Sequence, residues 1–111
     1  MRVRTQNYNE VTVVEIQGEF DHEYMDLFQN TVYGVIAENK TGLVLDLSSV
    51  TFIDSTGLEQ LLWARDYCNE NNCQLKLAAL DENCSKILEL TGLLPQFDTY
   101  MELTEAVKSF A

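Results

Sequence analysis

The spacing of apolar and polar residues along the chain predicts alternating strands and helices. Residues 11–16 alternate in polarity and are rich in β-forming side chains, after a weaker extended stretch at residues 3–5. The chain therefore opens with a predicted hairpin. Apolar residues then recur at helical spacing over residues 24–36, behind Asp21 as the predicted N-cap, and a buried strand is predicted over residues 43–47.

The second half of the chain continues this alternation. A helix is predicted over residues 56–71, a buried strand over residues 75–80, and a further helix that ends at Gly92. A short extended piece around Phe97 and a last helix follow. Crossovers long enough to hold helices imply parallel strands, so we predict an α/β fold with a mainly parallel mixed sheet of four to five strands and about four helices.

Length and composition favour one folded unit. The chain has 111 residues, of which 46% are hydrophobic, and we expect residues 1–111 to form a single soluble domain with a core of its own. Three cysteines, Cys68, Cys73 and Cys84, are odd in number and lack metal-site spacing. Free thiols in a reducing compartment are the expected state.

Net charge narrows the classes of partner. The formal charge is −11, which repels the phosphates of nucleic acids and of anionic membrane surfaces, so neither is an expected partner. Basic protein surfaces are favoured instead. The first residues are polar, and no apolar run approaches the roughly 20 residues that span a bilayer, so a cytoplasmic location is expected.

A polar cluster lies where the chain is predicted to enter the helix at residue 56. Asp54, Ser55 and Thr56 are residue types that cap helices, so a plain cap is one interpretation of Ser55. Thr56 with Glu59 has capping-box spacing, as does the run from Thr99 to Glu102, which predicts that the Thr56 hydroxyl binds backbone. The other interpretation is a switch: unpaired N–H groups and the helix dipole favour an anion here, so a phosphate on Ser55 is well placed.

Three motifs resemble a known family, and they span nearly the whole chain: Gly18-Glu19-Phe20-Asp21, Asp46-Leu47-Ser48-Ser49-Val50-Thr51-Phe52-Ile53-Asp54-Ser55-Thr56-Gly57-Leu58, and Leu90-Thr91-Gly92-Leu93. The chain resembles the anti-sigma factor antagonist branch of the STAS domain family (sulfate transporter and anti-sigma antagonist). The resemblance implies phosphorylation of Ser55 by a serine kinase that is also an anti-sigma factor, with Thr56 as a minor candidate. It also implies reversal by a type 2C phosphatase, and a second partner contact at Asp21.

The expected partner surface follows from this resemblance and from helical spacing. Gln60, Trp63 and Tyr67 share a helix face, which we expect to be exposed to the partner. Many relatives carry a Gly and small apolar residues after the position of Leu58, whereas this chain has Glu59-Gln60-Leu61-Leu62-Trp63, so its partner is expected to differ. The predicted contact residues are Asp21, Asp54, Ser55, Thr56, Gly57, Leu58, Gln60 and Trp63.

The sequence offers no complete set of residues for catalysis or for binding a metal or cofactor. Asp46 and Asp54 are considered as a carboxylate pair or a Mg²⁺ site, but no third ligand is evident, and His22 is expected to be a solvated first-turn residue. Gly-x-Ser-x-Gly and phosphate-loop patterns are missing, so we predict no enzyme activity, no metal and no cofactor. Two alternatives stay open: an adaptor subunit of a transport or stress-sensing complex, and a small hydrolase or phosphatase, which needs a polar pocket.

Overall fold

The computed structural model describes residues 2–110 and contains, within them, five strands and four α-helices. The strands are β1 (Arg2–Tyr8), β2 (Val11–Phe20), β3 (Gly42–Ile53), β4 (Gln74–Ala78) and β5 (Asp98–Tyr100). The helices are α1 (Met25–Ala37), α2 (Ser55–Glu70), α3 (Glu82–Leu90) and α4 (Leu103–Lys108), with 3-10 turns at His22–Tyr24 and Leu94–Gln96. The predicted α/β class, mixed sheet and number of helices are confirmed.

The strands form one sheet in the order β1-β2-β3-β4-β5. The predicted hairpin is present because β1 pairs antiparallel with β2, whereas β2, β3, β4 and β5 pair in parallel. Parallel strands end at the same edge of a sheet. We call the segments that follow Phe20, Ile53, Ala78 and Tyr100 the carboxyl edge.

The main core lies between one face of the sheet and helices α1, α2 and α3. Its fully buried members include Val14, Leu45 and Leu77 from the strands, Phe28 from α1 and Leu61 from α2. The opposite face is covered in part by α4, whose Ala106 packs against Val11, Val13, Val44 and Ala78. Two-sided coverage explains why the central strands are nearly continuous apolar runs.

Several boundaries differ from the sequence-based expectation. β3 continues to Ile53, well beyond the predicted end at Leu47, because its polar residues pair with β2 across register shifts at Glu15/Gln17 and Gly18/Glu19. The capping box expected at Thr99 is wrong, since Thr99 lies in β5 and pairs with Leu77 of β4. The helix end at Gly92 is confirmed: Gly92 has a φ of 75°, and Leu93 N–H donates to the Leu88 carbonyl (2.8 Å).

All three cysteines are free and buried. The hydrogen bond between the sulfurs of Cys68 and Cys73, together with burial, raises the pKa of the Cys68 thiol well above its usual value.

Within the described part of the chain, none of the helices combines the length and the apolar character that crossing a bilayer requires.

Candidate functional site

Asp54 begins helix α2 and occupies its N-cap position. Its backbone is extended (φ −101°, ψ −175°), and its Oδ1 accepts a hydrogen bond of 2.8 Å from the Gly57 N–H. The Asp54 carbonyl accepts from Leu58 N–H at 3.0 Å, the first bond of the helix. The prediction that Thr56 caps this helix is therefore wrong, since the cap lies two residues earlier.

Ser55 is the first residue of α2 and is exposed, whereas Thr56 is half-buried. Among residues 2–110, the side-chain hydrogen bonds found at this helix start involve Asp54, and none involves the Ser55 hydroxyl. Because the Asp54 carboxylate already accepts from the Gly57 N–H, the Ser55 hydroxyl is not needed as a cap. Ser55 thus presents an unused hydroxyl to solvent at the positive end of a 16-residue helix.

Gly57 sets how closely α2 approaches the sheet. A Cβ built at this position would lie 2.8 Å from Ile53 Cγ1 and closer still to the Phe20 carbonyl oxygen. Real Cβ atoms do not tolerate such distances, so glycine is required for the first turn of α2 to pack on the end of β2. The same approach brings Asp54 N–H within 3.4 Å of the Phe20 carbonyl.

Asp21 begins the neighbouring turn at the end of β2. Phe20 pairs with Ile53 in the sheet, so Asp21 and Asp54 each follow one member of a pair of adjacent strand residues, and paired strands lie about 4.8 Å apart. Asp21 caps the 3-10 turn His22–Tyr24 by accepting from Glu23 N–H at 3.0 Å. The prediction that Asp21 caps α1 is wrong, since Asp21 caps this 3-10 turn and the N-cap of α1 is Tyr24.

The early motif holds this turn in place through two residues. Gly18 has a φ of 94° and lies at the register shift between β2 and β3, where the left-handed backbone region requires glycine. Phe20 is fully buried and packs on Phe28 with ring centroids 4.9 Å apart. This buried ring fixes the end of β2, from which Asp21 follows.

The carboxyl edge is strongly acidic. Segments 19–24, 54–59 and 81–86 contain one Lys or Arg, Lys86. They contain seven acidic residues, which we call the acidic rim: Glu19, Asp21, Glu23, Asp54, Glu59, Asp81 and Glu82. Asp54 precedes Ser55 directly, and Asp21 follows the strand residue that pairs with Ile53, so two members of the rim lie close to Ser55. A positively charged protein surface is the complementary partner of this end of the sheet in electrostatic terms.

The helix face of Gln60, Trp63 and Tyr67, which was expected to be exposed to the partner, faces α1 instead. Gln60 is buried, with 6% of its surface exposed, and its Oε1 accepts a bond of 2.8 Å from the Gln29 side chain of α1. Trp63 and Tyr67 are half-buried; their rings stack on each other at 5.3 Å, and each meets Tyr33 of α1 edge to face. These three residues share a face, as predicted, but that face packs against α1.

The structure separates the two carboxylates considered as a pair. Asp46 is buried and its Oδ1 accepts from Ser48 N–H at 3.0 Å, which supports the β3 bulge. Asp54 follows eight residues later, and at ~3.3 Å per strand residue the two lie more than about 20 Å apart. Among residues 2–110, no group of three His, Cys, Asp or Glu side chains is arranged to hold a metal ion. His22 is exposed, as expected.

The sequence-based site omits Phe52, a large apolar residue that is exposed near the end of β3. Its side chain is 52% exposed, while its neighbour Ile53 is buried. The signal was available in the sequence, because successive strand residues point to opposite faces, so Phe52 and Ile53 cannot both enter the core.

Comparisons with known proteins agree with this geometry. The sequence matches the family model described as "STAS domain" over residues 2–106. A STAS-domain containing protein of Pseudomonas aeruginosa is 33% identical over 79 residues, which cover 71% of this chain and 77% of that protein. The anti-sigma-F factor antagonist RsfB of Mycobacterium tuberculosis is 29% identical over 105 residues, or 95% of this chain and 85% of RsfB.

A solved structure shows the same arrangement of elements. The crystal structure of an anti-sigma factor antagonist from Mycobacterium paratuberculosis superposes with a TM-score of 0.86 and 26% sequence identity, covering 97% of this chain and 92% of that one. The family model, the relatives and the fold point the same way. This chain belongs to the STAS domain family.

Proposed function

We propose that this STAS domain is an anti-sigma factor antagonist that docks on a kinase-type anti-sigma factor and is switched by reversible phosphorylation of Ser55. The observation that carries the proposal is the exposed Ser55 hydroxyl at the start of α2, with the capping role taken by Asp54. The relatives named as anti-sigma factor antagonists support the same role. In the cytoplasm, the unmodified form would occupy the anti-sigma factor and thereby release its sigma factor.

The chain contributes the acceptor group and the partner contributes the chemistry. The Ser55 oxygen attacks the γ-phosphorus of ATP held by the kinase, the bond to the β-phosphate oxygen breaks, and ADP leaves. The hydroxyl proton passes to a base of the kinase. A type 2C phosphatase reverses the step by transferring the phosphoryl group to water, so the domain itself is a substrate and a binding partner, not an enzyme.

Phosphorylation would end docking by a local change in charge and size. A phosphoryl group adds about −1.5 to −2 charges and three acceptor oxygens at pH 7. The helix start can accept it, since the N–H groups of Ser55 and Thr56 are not taken by the Asp54 side chain. The group nevertheless stands beside Asp54 and Asp21, which makes this surface harder to desolvate against a closely fitted partner.

The contact surface we propose is centred on the first turn of α2. It comprises the exposed Ser55, the half-buried Asp54, Thr56 and Leu58, and Asp21 at the adjacent strand end. Gly57 supports this turn from the side of the sheet. Gln60 is buried and Trp63 packs against α1, so neither belongs to the proposed contact surface. The acidic rim keeps nucleic acids and anionic membranes away and attracts basic protein surfaces.

The test uses the purified domain, Mg-ATP and the serine-kinase anti-sigma factor encoded in the same genome. We expect one phosphoryl group on the wild type and on Thr56→Ala, the matched control, and none on Ser55→Ala. We also expect the unmodified domain and Ser55→Ala to bind, and the phosphorylated domain and Ser55→Asp to bind at least about tenfold more weakly. Incorporation into Ser55→Ala equal to that of the wild type would refute the assigned acceptor. Equal binding by all forms would favour the adaptor role.

A further inference from the structure

Two of the three free cysteines meet where helix α2 ends. Cys68 lies in the last turn of α2, and Cys73 lies directly before β4. The chain between them turns through Asn72, which has a φ of 57°, and the Cys73 N–H donates to the Cys68 carbonyl at 2.9 Å. This bond closes a Schellman motif, in which the two residues that it joins commonly pack their side chains together. The backbone geometry therefore brings the two cysteine side chains together.

The two thiol groups are in contact with each other. The Cys68 S–H donates a hydrogen bond to the Cys73 sulfur. Both side chains belong to the main core, Cys68 with none of its surface exposed and Cys73 with 3%. Cys84 is buried on α3, where its N–H donates to Asp81 Oδ1 at 2.7 Å. Within residues 2–110, Cys68 and Cys73 are therefore the one pair of hydrogen-bonded thiols.

The contact makes the two sulfurs chemically unequal. The hydrogen bond from Cys68 lowers the pKa of the Cys73 thiol, although burial acts against it, and the same bond raises the pKa of Cys68. Cys73 also directly follows the exposed residues 69–72, whereas Cys68 is sealed beneath the helix. The thiolate is the form that attacks an oxidant. Cys73 is therefore placed to react first, and Cys68 is placed to attack the product.

We propose that Cys68 and Cys73 form a reversible disulfide when the domain is exposed to a peroxide. The Cys73 thiolate attacks one peroxide oxygen, the O–O bond breaks, and the leaving hydroxide takes up the proton released by the thiol to become water. The Cys68 sulfur then attacks the sulfenic acid on Cys73, the S–O bond breaks, and the hydroxyl leaves with the Cys68 proton as a second water. The two sulfurs lose two electrons, which the peroxide gains, and an organic thiol reverses the bond by exchange.

The thiol pair is separate from the proposed phosphorylation site. Cys68 lies near the opposite end of the 16-residue α2 from Ser55, about 20 Å away at ~1.5 Å per helix residue. The disulfide would join the last turn of α2 to the residue before β4 and leave the start of α2 uncovered. The inference does not depend on the proposed function, because neither Ser55 nor an anti-sigma factor takes part.

The first test treats the purified, reduced domain with hydrogen peroxide, then measures its mass and counts its thiols after unfolding. We expect loss of the mass of two hydrogen atoms and of two of the three thiols. A glutamate-specific protease cuts after Glu70, inside the loop, so the fragments that carry Cys68 and Cys73 should stay joined until a reductant is added. Recovery of three thiols, a bond to Cys84, or oxidation of Cys73 to a sulfinic acid without a disulfide would refute the proposal.

Three single variants test the role of each sulfur. Cys84→Ser, the matched control at a buried cysteine outside the pair, should form the same disulfide as the wild type. In Cys68→Ser the serine hydroxyl can still donate to Cys73, so peroxide should leave a sulfenic acid on Cys73 that dimedone labels. In Cys73→Ser, dimedone labelling of Cys68 should be at least about tenfold slower. Equal labelling in the last two variants would overturn the assigned order of attack.

A comparison of the folded and the unfolded wild type tests whether the fold itself favours the bond. In a buffer of reduced and oxidised glutathione, the ratio of disulfide to dithiol should be at least about tenfold higher in the folded domain than in urea that unfolds it. This measurement needs no substitution, so it does not depend on how well a variant folds. An equal or lower ratio in the folded domain would mean that the contact at the end of α2 does not favour the disulfide, and the proposal would fail.

Discussion

Replacing glycine with alanine at two helical positions should change stability in opposite directions. At Gly57, a methyl group would meet the Phe20 carbonyl oxygen and Ile53 Cγ1 at distances that only a shift of α2 can relieve. At Gly34, in the exposed middle of α1, nothing lies within 4 Å of the added carbon. The same substitution therefore separates a requirement for space from the ordinary helix preference for alanine.

The magnitudes follow from these surroundings. Alanine in a helix is favoured over glycine by about 0.5–1 kcal/mol, which is the expected gain for Gly34→Ala. At Gly57 the same preference is outweighed by overpacking of about 1–3 kcal/mol and by loss of the Asp54 cap, worth about 1 kcal/mol. We expect Gly57→Ala to lower the free energy of unfolding by about 1–3 kcal/mol.

Urea unfolding, followed by far-UV circular dichroism and by the fluorescence of Trp63, provides the assay. Trp63 is the one tryptophan of the chain; it belongs to α2 and packs on Phe28 and Tyr33 of α1, so its emission reports the packing of both mutated helices. The midpoint should rise for Gly34→Ala and fall for Gly57→Ala at similar m-values. A rise in both variants would refute the idea that a close contact with the end of β2 positions α2.

Three further predictions concern other parts of the fold. Ala79 has a φ of 59°, a region that costs a non-glycine residue about 1 kcal/mol, so Ala79→Gly should raise the urea midpoint. Lys76 of β4 is buried; its Nζ donates to the Ser109 hydroxyl and lies 3.7 Å from Asp98 Oδ2. Lys76→Met should change stability by less than about 1 kcal/mol, because Ser109 keeps its bond to the Ala106 carbonyl and the Asp98 side chain is 46% exposed to water. Lys76→Ala should cost about 2 kcal/mol, and similar losses in both variants would contradict this reasoning. Burial raises the pKa of Cys84 from 9.0 to about 11, so the unfolded chain releases this proton first and stability should fall between pH 9 and 11. Cys84→Ala should show a smaller fall in unfolding experiments over that range, and an equal fall would contradict the assignment.

Elements with a local signal were predictable from the sequence. The hairpin, α1 and the end of α3 at Gly92 each have a pattern within a few residues, and all three are present. The length of β3 was not predictable in this way: Ser48, Ser49 and Thr51 look like turn residues, and only pairing with β2 across a bulge makes them strand.

The site shows the same division between local and tertiary information. Asp54 and Thr56 both have cap chemistry, and the choice between them depends on how Gly57 fits against Phe20, a residue far away in the sequence. Helical spacing correctly placed Gln60, Trp63 and Tyr67 together, but their inward orientation depends on Gln29 and Tyr33 of α1. A helix pattern identifies a face, and the neighbouring helix decides what covers it.

The close packing of Gly57 against the Phe20 carbonyl at the end of β2 has a consequence for signalling. The first turn of α2 packs so closely on the sheet that Ser55 and Asp21 are displayed from the ends of two adjacent strands. Under the proposed switch, the phosphorylated and unmodified forms would differ in charge at this surface and keep the same backbone. The partner protein would therefore have to distinguish the two forms by that charge.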